Sequence, residues 1–502
     1  MFLTICAAVV VAYYIVKHAL TKFHRRRLAR EHGCLPPQNQ SIGGDPIIGL
    51  SLVLETVRRA RQNEYLRLGH ERFRKFGTTY VNKRLLYETV STIDPENVKE
   101  VLGTSFQDFE MPAIRVKALA PFLGDGIFTT DGPQWAHSRS LMRPIFTKHN
   151  IAPQLGRFEV HVERLLHHIP NNGATVDLRR LFFNLTLDVA TEFVLGRSTN
   201  TLDPQSATEA EGQFANDYMR CCEEAARVIQ MGPFYSFSSS NSVAQERDRA
   251  WSYAYKYVDE VMAMRSKEKD VEEGGGSMGY NFLTELAKET DNRETLRDQV
   301  MNILIASRDT TAALLGNLFF MLARHPKAYA KLREEVTAIV GNDLPSEAHI
   351  RELTWLRYCI NESLRLHPPI PANTRQATRD VRLPVGGGTD GRAPLLVKAG
   401  TNVLMSVFSM HRREDVFGAE PEEFRPQRWN GLRPGWAYLP FNGGARKCLG
   451  QQFAITEASY VIVRLAQTFT EIEPRDSRPF TEDYSIALFS KHGVQVGLKR
   501  GG

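Results

Sequence analysis

Apolar positions recur three and four residues apart over 152–169, 207–230, 248–267, 281–289, 294–324 and 326–340, the spacing that gathers them on one face of a helix. Segments that alternate, or that concentrate β-branched residues, are fewer: 78–93, 393–407 and 492–499 read as strands. The pattern predicts a mainly α body with minor β, and no internal repeat organises it. Within that body, 296–326 is apolar on nearly every side, which marks a helix buried in the middle of a large protein.

The first sixteen residues depart from this pattern. "MFLTICAAVVVAYYIV" carries no charge, and Lys17, Lys22, Arg25, Arg26, Arg27 and Arg30 follow it. A secretory signal peptide has its positive charge before the apolar run and small residues at a cleavage site, so an uncleaved signal anchor fits better. The run is at the short end for a span, and an interfacial or buried terminal helix is the competing reading. For an anchor, the positive-inside rule places the basic flank and all that follows in the cytosol, facing away from the lumen of the endoplasmic reticulum. The glycosylation triplets at Asn39 and Asn184 then have no meaning. A proline- and glycine-rich stretch at 33–46 reads as a link. The expected organisation is a membrane anchor over 1–22, a basic and Pro/Gly-rich linker over 23–46 and a single body over 47–502. The charged, glycine-rich stretch 266–279 reads as a surface loop within that body.

Composition narrows the function. With 502 residues, 42% hydrophobic and 24% charged, the chain is that of an ordinary globular protein. The net charge of +6 is small for the size, and basic runs with interleaved aromatics are missing from the body, which argues against nucleic acid. The six cysteines show neither paired spacing nor a C-x-x-C, so a disulfide scaffold and a zinc site are both unsupported. Adjacent Cys221 and Cys222 read as packed thiols. "GGGTDG" at 386–391 satisfies G-x-G-x-x-G but lies between Pro384 and Pro394, as a turn between strands rather than a strand-to-helix phosphate site. A P-loop is also lacking, so electrons for any redox chemistry come from another protein.

Three stretches carry candidate chemistry. The buried helix contains "SRDTT" at 307–311, where charged and hydroxyl groups are either a satisfied polar kink or a means of handling protons beside a cofactor. Glu362 and Arg365, three apart in "NESLRLHP", share a helical face, and Arg428 of the irregular "PEEFRPQRW" segment is placed to join them. "FNGGARKCLGQQF" sets Cys448 among Gly443, Gly444 and Gly450 at the entrance of a helix. An isolated cysteine is usually a packed hydrophobe. Here the loop amides and the positive end of the helix would favour a thiolate, the form that ligates metal.

The last stretch, F-x-x-G-x-R-x-C-x-G through Phe441, Gly444, Arg446, Cys448 and Gly450, resembles the haem-thiolate loop of the cytochrome P-450 monooxygenases. The oxygen-activation helix at 306–311, E-x-x-R at Glu362 and Arg365, P-x-x-F-x-P-x-R-W at 421–429 and W-x-x-x-R at Trp135 and Arg139 resemble the same family in the same order. The resemblance implies the P-450 fold, a helical domain with a long central helix over haem and a small β-rich lobe. It implies haem b with Cys448 as axial iron ligand, Trp135, Arg139, Arg375 and Arg446 as partners of the haem propionates, and Phe441 packed on the sulfur side. It further implies Asp309 and Thr310 as proton-delivering groups, and Glu362, Arg365 and Arg428 as a structural triad.

Electrons would come from NADPH through the partner NADPH–cytochrome P-450 reductase, at the endoplasmic reticulum membrane. Ser307 departs from the family's usual glycine, which is expected to alter the shape or hydrogen bonding of the substrate groove. Three stretches, 123–139, 307–312 and 441–469, look most like fungal microsomal hydroxylases of alkanes and fatty acids. Oxidation of an alkyl chain of a polyketide or other secondary metabolite is the alternative. The family layout suggests pocket walls around 106–128, 214–235, 301–311, 370–376 and 484–490. More distant rivals are a haem carrier without turnover and a haem-thiolate isomerase that needs no reductase; the acid and alcohol at Asp309 and Thr310 weigh against both.

Overall fold

The computed structural model describes residues 2–41, 49–84, 87–147, 152–238, 242–270 and 281–500. Its organising element is the helix Arg293–Arg324, buried almost without interruption from Leu296 to Ala323. Asn292 caps it by accepting a hydrogen bond from Thr295 N at 2.8 Å, and His325–Pro326 ends it because proline cannot continue the backbone ladder. The helix Leu178–Leu195 packs along it, with the rings of Phe182 and Phe319 5.5 Å apart and Thr186 Oγ1 donating to Arg308 O at 2.9 Å. Each fully buried phenylalanine of this kind contributes about 1.5 to 3 kcal/mol of transfer free energy.

Further helices wrap this pair at Leu155–His167, Glu209–Gln230, Ala244–Asp270, Phe282–Glu289, Pro326–Ile339, Thr354–Leu366 and Gln451–Thr468. The observed helices follow the apolar periodicity closely. Leu178–Leu195 escaped it because apolar residues cover nearly its whole circumference, leaving no stripe to detect.

A six-stranded mixed sheet forms a lobe to one side. In order across the sheet its strands are Gln40–Ser41, Thr79–Arg84, Tyr87–Thr92, Asn402–Ser406, Ala372–Ala377 and Phe109–Glu110. It has its own apolar core around Val81, Val90, Leu383, Val403 and Met405. The glycine-rich stretch 386–391 joins the antiparallel strands Val381–Gly387 and Ala393–Val397, as the flanking prolines suggested. The strand Ala372–Ala377 was not legible beforehand, since Asn373, Arg375 and Gln376 give it little apolar alternation.

Two boundaries differ from expectation. The N-terminal helix runs without a break from Phe2 to Glu31, because the leucine, alanine and basic residues of the flank are good helix formers. The helix Ala244–Asp270 likewise continues past 266, while 271–280 lie outside the described residues. The described part of the link, to residue 41, is tied to the lobe: Leu35 N donates to Pro394 O at 2.9 Å and Gly388 N to Pro36 O at 2.9 Å. Residues 42–46 lie outside the described set. From Thr4 the N-terminal helix is long and apolar enough to cross a membrane, and its apolar stretch is unburied.

Candidate active site

Cys448 lies between the short turn Gly444–Arg446 and the helix Gln451–Thr468. Its N–H donates to Phe441 O at 3.0 Å, which closes the loop on itself, and Phe441 packs against the main core. Gly444 has φ +65°, and a Cβ there would stand 1.7 Å from Leu102 O, so only glycine lets this loop meet the neighbouring chain. Cys448 is exposed, whereas Cys221, Cys222 and Cys359 are buried. Burial raises the thiol above its ordinary pKa, while the Gly450 N–H and the charges of Arg139 and Lys447 pull it back. The loop and helix end alone therefore leave the thiol raised, contrary to the expectation from the sequence, because desolvation outweighs them. A bound cation would supply the missing stabilisation.

Beside this loop the fold concentrates guanidinium groups. Trp135 and Arg139 stand one turn apart on the helix Gly132–Met142, and Arg139 Nη2 donates to Lys447 O at 2.9 Å. Arg446 lies over the Trp135 ring at 4.4 Å, donates to Ile127 O and Thr130 O, and pairs with Asp131. Arg375 comes from the strand Ala372–Ala377 and is held by Asn373 Oδ1 and Thr374 O, each at 2.9 Å. Arg115, on the helix Ala113–Leu123, completes the group; the sequence held no signal for it beyond a basic residue in an apolar helix.

Burial weakens these bases, and mutual repulsion adds to it. Burial, reinforced by Arg115 and Arg446, pushes Arg375 down to about 9. Arg446 is pushed down to about 10 by burial, with Asp131 opposing and Arg115 and Arg139 adding to the fall. Arg375 Nε and Arg115 Nε are buried without partners among the described residues, and the Trp135 indole N–H donates to no described protein group. Asp131 is the carboxylate common to the group, so positive charge and orphaned donors are in excess. Such an arrangement is costly by itself and complementary to a ligand bearing carboxylates.

The loop that carries Asp131 is fastened to the central helix. Asp125 N donates to Asp298 Oδ2 at 2.8 Å, and Asn302 Nδ2 donates to Leu123 O at 3.1 Å. The contact is so close that a Cβ on Gly126 would fall 2.3 Å from Asn302 Nδ2. One rigid connection thereby links the central helix to Arg446 of the cysteine loop.

Between Leu296 and Ala323 the central helix is partly open only at Ala306, Ser307 and Thr310, which share one face. Thr310 Oγ1 donates to Ala306 O at 2.6 Å and Ser307 Oγ to Ile303 O at 2.8 Å, so both hydroxyls bond back to the preceding turn. The helix nevertheless continues unbroken through this stretch. Asp309 is buried and pairs with Arg308 at 2.9 Å. Burial raises its pKa and Arg308 counters the rise. Sequence reasoning singled out Asp309 and left Arg308, its neighbour and counter-charge, without a role.

The structure also brings Glu362, Arg365 and Arg428 together. Arg365 donates to both Glu362 oxygens at 2.9 and 2.8 Å, and Arg428 Nε donates to Oε1 at 2.8 Å. Trp429 Nε1 and Arg425 N also donate to Glu362, while Arg365 reaches the carbonyls of His411, Pro421 and Glu423. The irregular segment before the cysteine loop is thus pinned to the helix Thr354–Leu366 by one fully buried carboxylate.

The family model described as Cytochrome P450 matches residues 43–496. The chain is 39% identical to Cytochrome P450 monooxygenase fsdH of Fusarium heterosporum, over 99% of this chain and 89% of that protein. It is 43% identical to Cytochrome P450 monooxygenase himC of Aspergillus japonicus, over 91% and 82% respectively. It is 38% identical to Cytochrome P450 52A3-B of Candida maltosa, over 99% and 97%. Matches of this extent take in the cysteine loop, the central helix and the sheet lobe alike, and the chain belongs to the cytochrome P450 family.

Proposed function

We propose that this monooxygenase holds haem b through Cys448, takes electrons from NADPH by way of NADPH–cytochrome P450 reductase, and hydroxylates the alkyl chain of a fatty acid or alkane. The observation that carries the haem assignment is the surplus of buried guanidinium groups beside an exposed cysteine. Orphaned Arg375 and Arg115 donors and the free Trp135 indole suit the two propionates of haem, with Arg139 and Arg446 alongside. Gly450 keeps its backbone close to the sulfur and contributes its N–H. Phe441 covers the sulfur side.

When bound, haem supplies the iron chemistry that inserts one oxygen atom of O2 into an unactivated C–H bond. Cys448 would hold the iron as a thiolate. Asp309, whose buried carboxylate accepts from Arg308, would take up a proton and pass it on when that pair opens. Thr310 Oγ1 relays it by exchanging its bond to Ala306 O for one toward the reacting oxygen. Glu362, Arg365 and Arg428 hold the loop and touch no reactant. The apolar Ala306 and the partly buried Ile127, Phe128 and Ile486 contribute to a hydrophobic substrate wall, which Ser307 narrows.

The helix beginning at Phe2 anchors the protein in the endoplasmic reticulum membrane, with residues 1–22 as anchor, 23–46 as link and the catalytic domain over 47–502 in the cytosol. Two relatives with other names, fsdH and himC, match at 39% and 43%, against 38% for 52A3-B. Identity therefore does not favour the 52A proteins, and an alkyl chain on a polyketide is the second reading.

The test is the absorption spectrum of the reduced, carbon monoxide-bound protein, followed by turnover with a reductase. Thiolate ligation gives a strongly red-shifted Soret band that Cys448→Ser abolishes while the fold is retained. A variant that kept the band would remove Cys448 as ligand. With NADPH and reductase, fatty acids and alkanes should yield hydroxylated products carrying one atom from labelled O2. Product only from polyketide substrates would select the second reading.

A further inference from the structure

The partly open face of the central helix carries two hydroxyls, Ser307 and Thr310, and the proton delivery proposed above uses only the second. Ser307 Oγ donates to Ile303 O at 2.8 Å, with Leu304 O a weaker second acceptor at 3.4 Å. A serine hydroxyl has one proton to give and two lone pairs that accept. The proton of Ser307 is committed inside the helix, and none of the described residues donates to its lone pairs. What Ser307 presents to the groove is therefore an acceptor without a donor.

An acceptor of that kind discriminates by chemistry. A hydrocarbon chain brings no O–H to it, and would cover the hydroxyl while leaving its lone pairs unsatisfied. An alcohol satisfies them. Other groups on this side do not serve the same purpose: Ala306 is apolar, Asp309 is buried against Arg308, and Ile127, Phe128 and Ile486 of the proposed wall are hydrocarbon. The spacing is suitable too. Helical positions three apart set their Cβ atoms about 5 to 6 Å from each other. A substrate hydroxyl bonded to Ser307 at the usual length of about 2.7 to 2.8 Å thus leaves its own carbon beside Thr310.

We propose that Ser307 is a specificity-determining residue that accepts a hydrogen bond from a hydroxyl already on the alkyl chain, so that the alcohol is favoured over the hydrocarbon. The inference rests on the monooxygenase reading with an alkyl-chain substrate given above. In the step, one atom of O2 enters a C–H bond of the carbinol carbon. The other atom leaves as water with two electrons from NADPH and two protons, and the gem-diol loses water to give an aldehyde. The aldehyde has no O–H, loses the bond to Ser307 and departs. A hydroxylation of the same chain, by this protein or another, must come first to supply the alcohol.

The holoenzyme with NADPH and reductase, given dodecanol and dodecyl fluoride in separate reactions, tests the assignment. The fluoride is close to the alcohol in size and lacks the O–H, and oxidation at the substituted carbon turns both into dodecanal, which is trapped as its oxime. The quantity read is the ratio of kcat/KM for the alcohol to that for the fluoride. Comparing this ratio between parent and variant cancels the intrinsic reactivity of the two carbons. Ser307→Ala keeps Cβ and the helix, and should lower the ratio about five- to ten-fold, the worth of one neutral hydrogen bond. Ser307→Thr, which keeps the hydroxyl, should retain the parent ratio. An unchanged ratio in Ser307→Ala overturns the inference, and a ratio lost equally in Ser307→Thr overturns it in favour of groove shape. A parent that oxidises neither compound, nor dodecane, while its carbon monoxide band is intact sinks the alkyl-chain reading, and this inference with it.

Discussion

At the scale of single residues, the chemistry depends on groups whose properties come from being surrounded. Thr310 presents a single hydroxyl, and its present acceptor, Ala306 O, is a helix carbonyl with its own place in the backbone ladder. Removing that hydroxyl strands no buried donor. Thr310→Ala should therefore leave the carbon monoxide spectrum and thermal stability nearly unchanged while NADPH oxidation runs ahead of product. Coupling equal to the parent's would take Thr310 out of proton delivery. Asp309 differs in that its carboxyl is buried beside Arg308, so its loss would leave an unpaired guanidinium in the core. Asp309→Asn, which keeps the shape, is the cleaner comparison.

At the scale of elements, two buried carboxylates behave in opposite ways. Glu362 accepts from Arg365, Arg425 N, Arg428 and Trp429, and it holds an irregular segment that has no ladder of its own. Glu362→Ala should cost about 3 to 5 kcal/mol, because it strands buried charge, and denaturant unfolding should show it together with loss of haem retention. Glu457, two turns into the helix Gln451–Thr468, has an oxygen buried without a partner among the described residues, and burial pushes its pKa up to about 8.

An unfolded glutamate releases its proton near 4.3, so between about pH 4.3 and 8 the folded state binds more protons than the unfolded one. Stability accordingly falls as pH rises through that window. Glu457→Gln should flatten this slope and stabilise the protein at pH 7.5 by about 4 kcal/mol, at 1.36 kcal/mol per pH unit. A melting temperature with the same pH dependence in both proteins would show that Glu457 is solvated or paired.

At the scale of the whole molecule, the N-terminal helix and the body meet through the Arg25–Asp380 pair and through backbone bonds of residues 35–38 to the lobe. The pair is part-exposed and by itself contributes under about 1 kcal/mol. The body carries its own cores, so deleting residues 2–16 should abolish vesicle flotation and leave the carbon monoxide spectrum intact; loss of the spectrum would mean that the helix is part of the fold. The sequence by itself determined the helical class, because the apolar spacing of 152–169 or 326–340 is written in consecutive residues. It determined the cysteine loop too, whose glycines and Cys448 lie within ten positions, and the fold later supplied the reason for Gly444 in the carbonyl of Leu102. Only the tertiary structure decided that Arg115, Asp131, Arg375 and Arg446, from four separate elements, gather with more charge than they can neutralise. It alone set Arg308 against Asp309, buried Glu457 without a partner and laid the basic half of the first helix against the lobe. Periodicity records which side of an element is apolar, whereas burial and pairing between distant charges depend on how elements meet, and that information is spread over the whole chain.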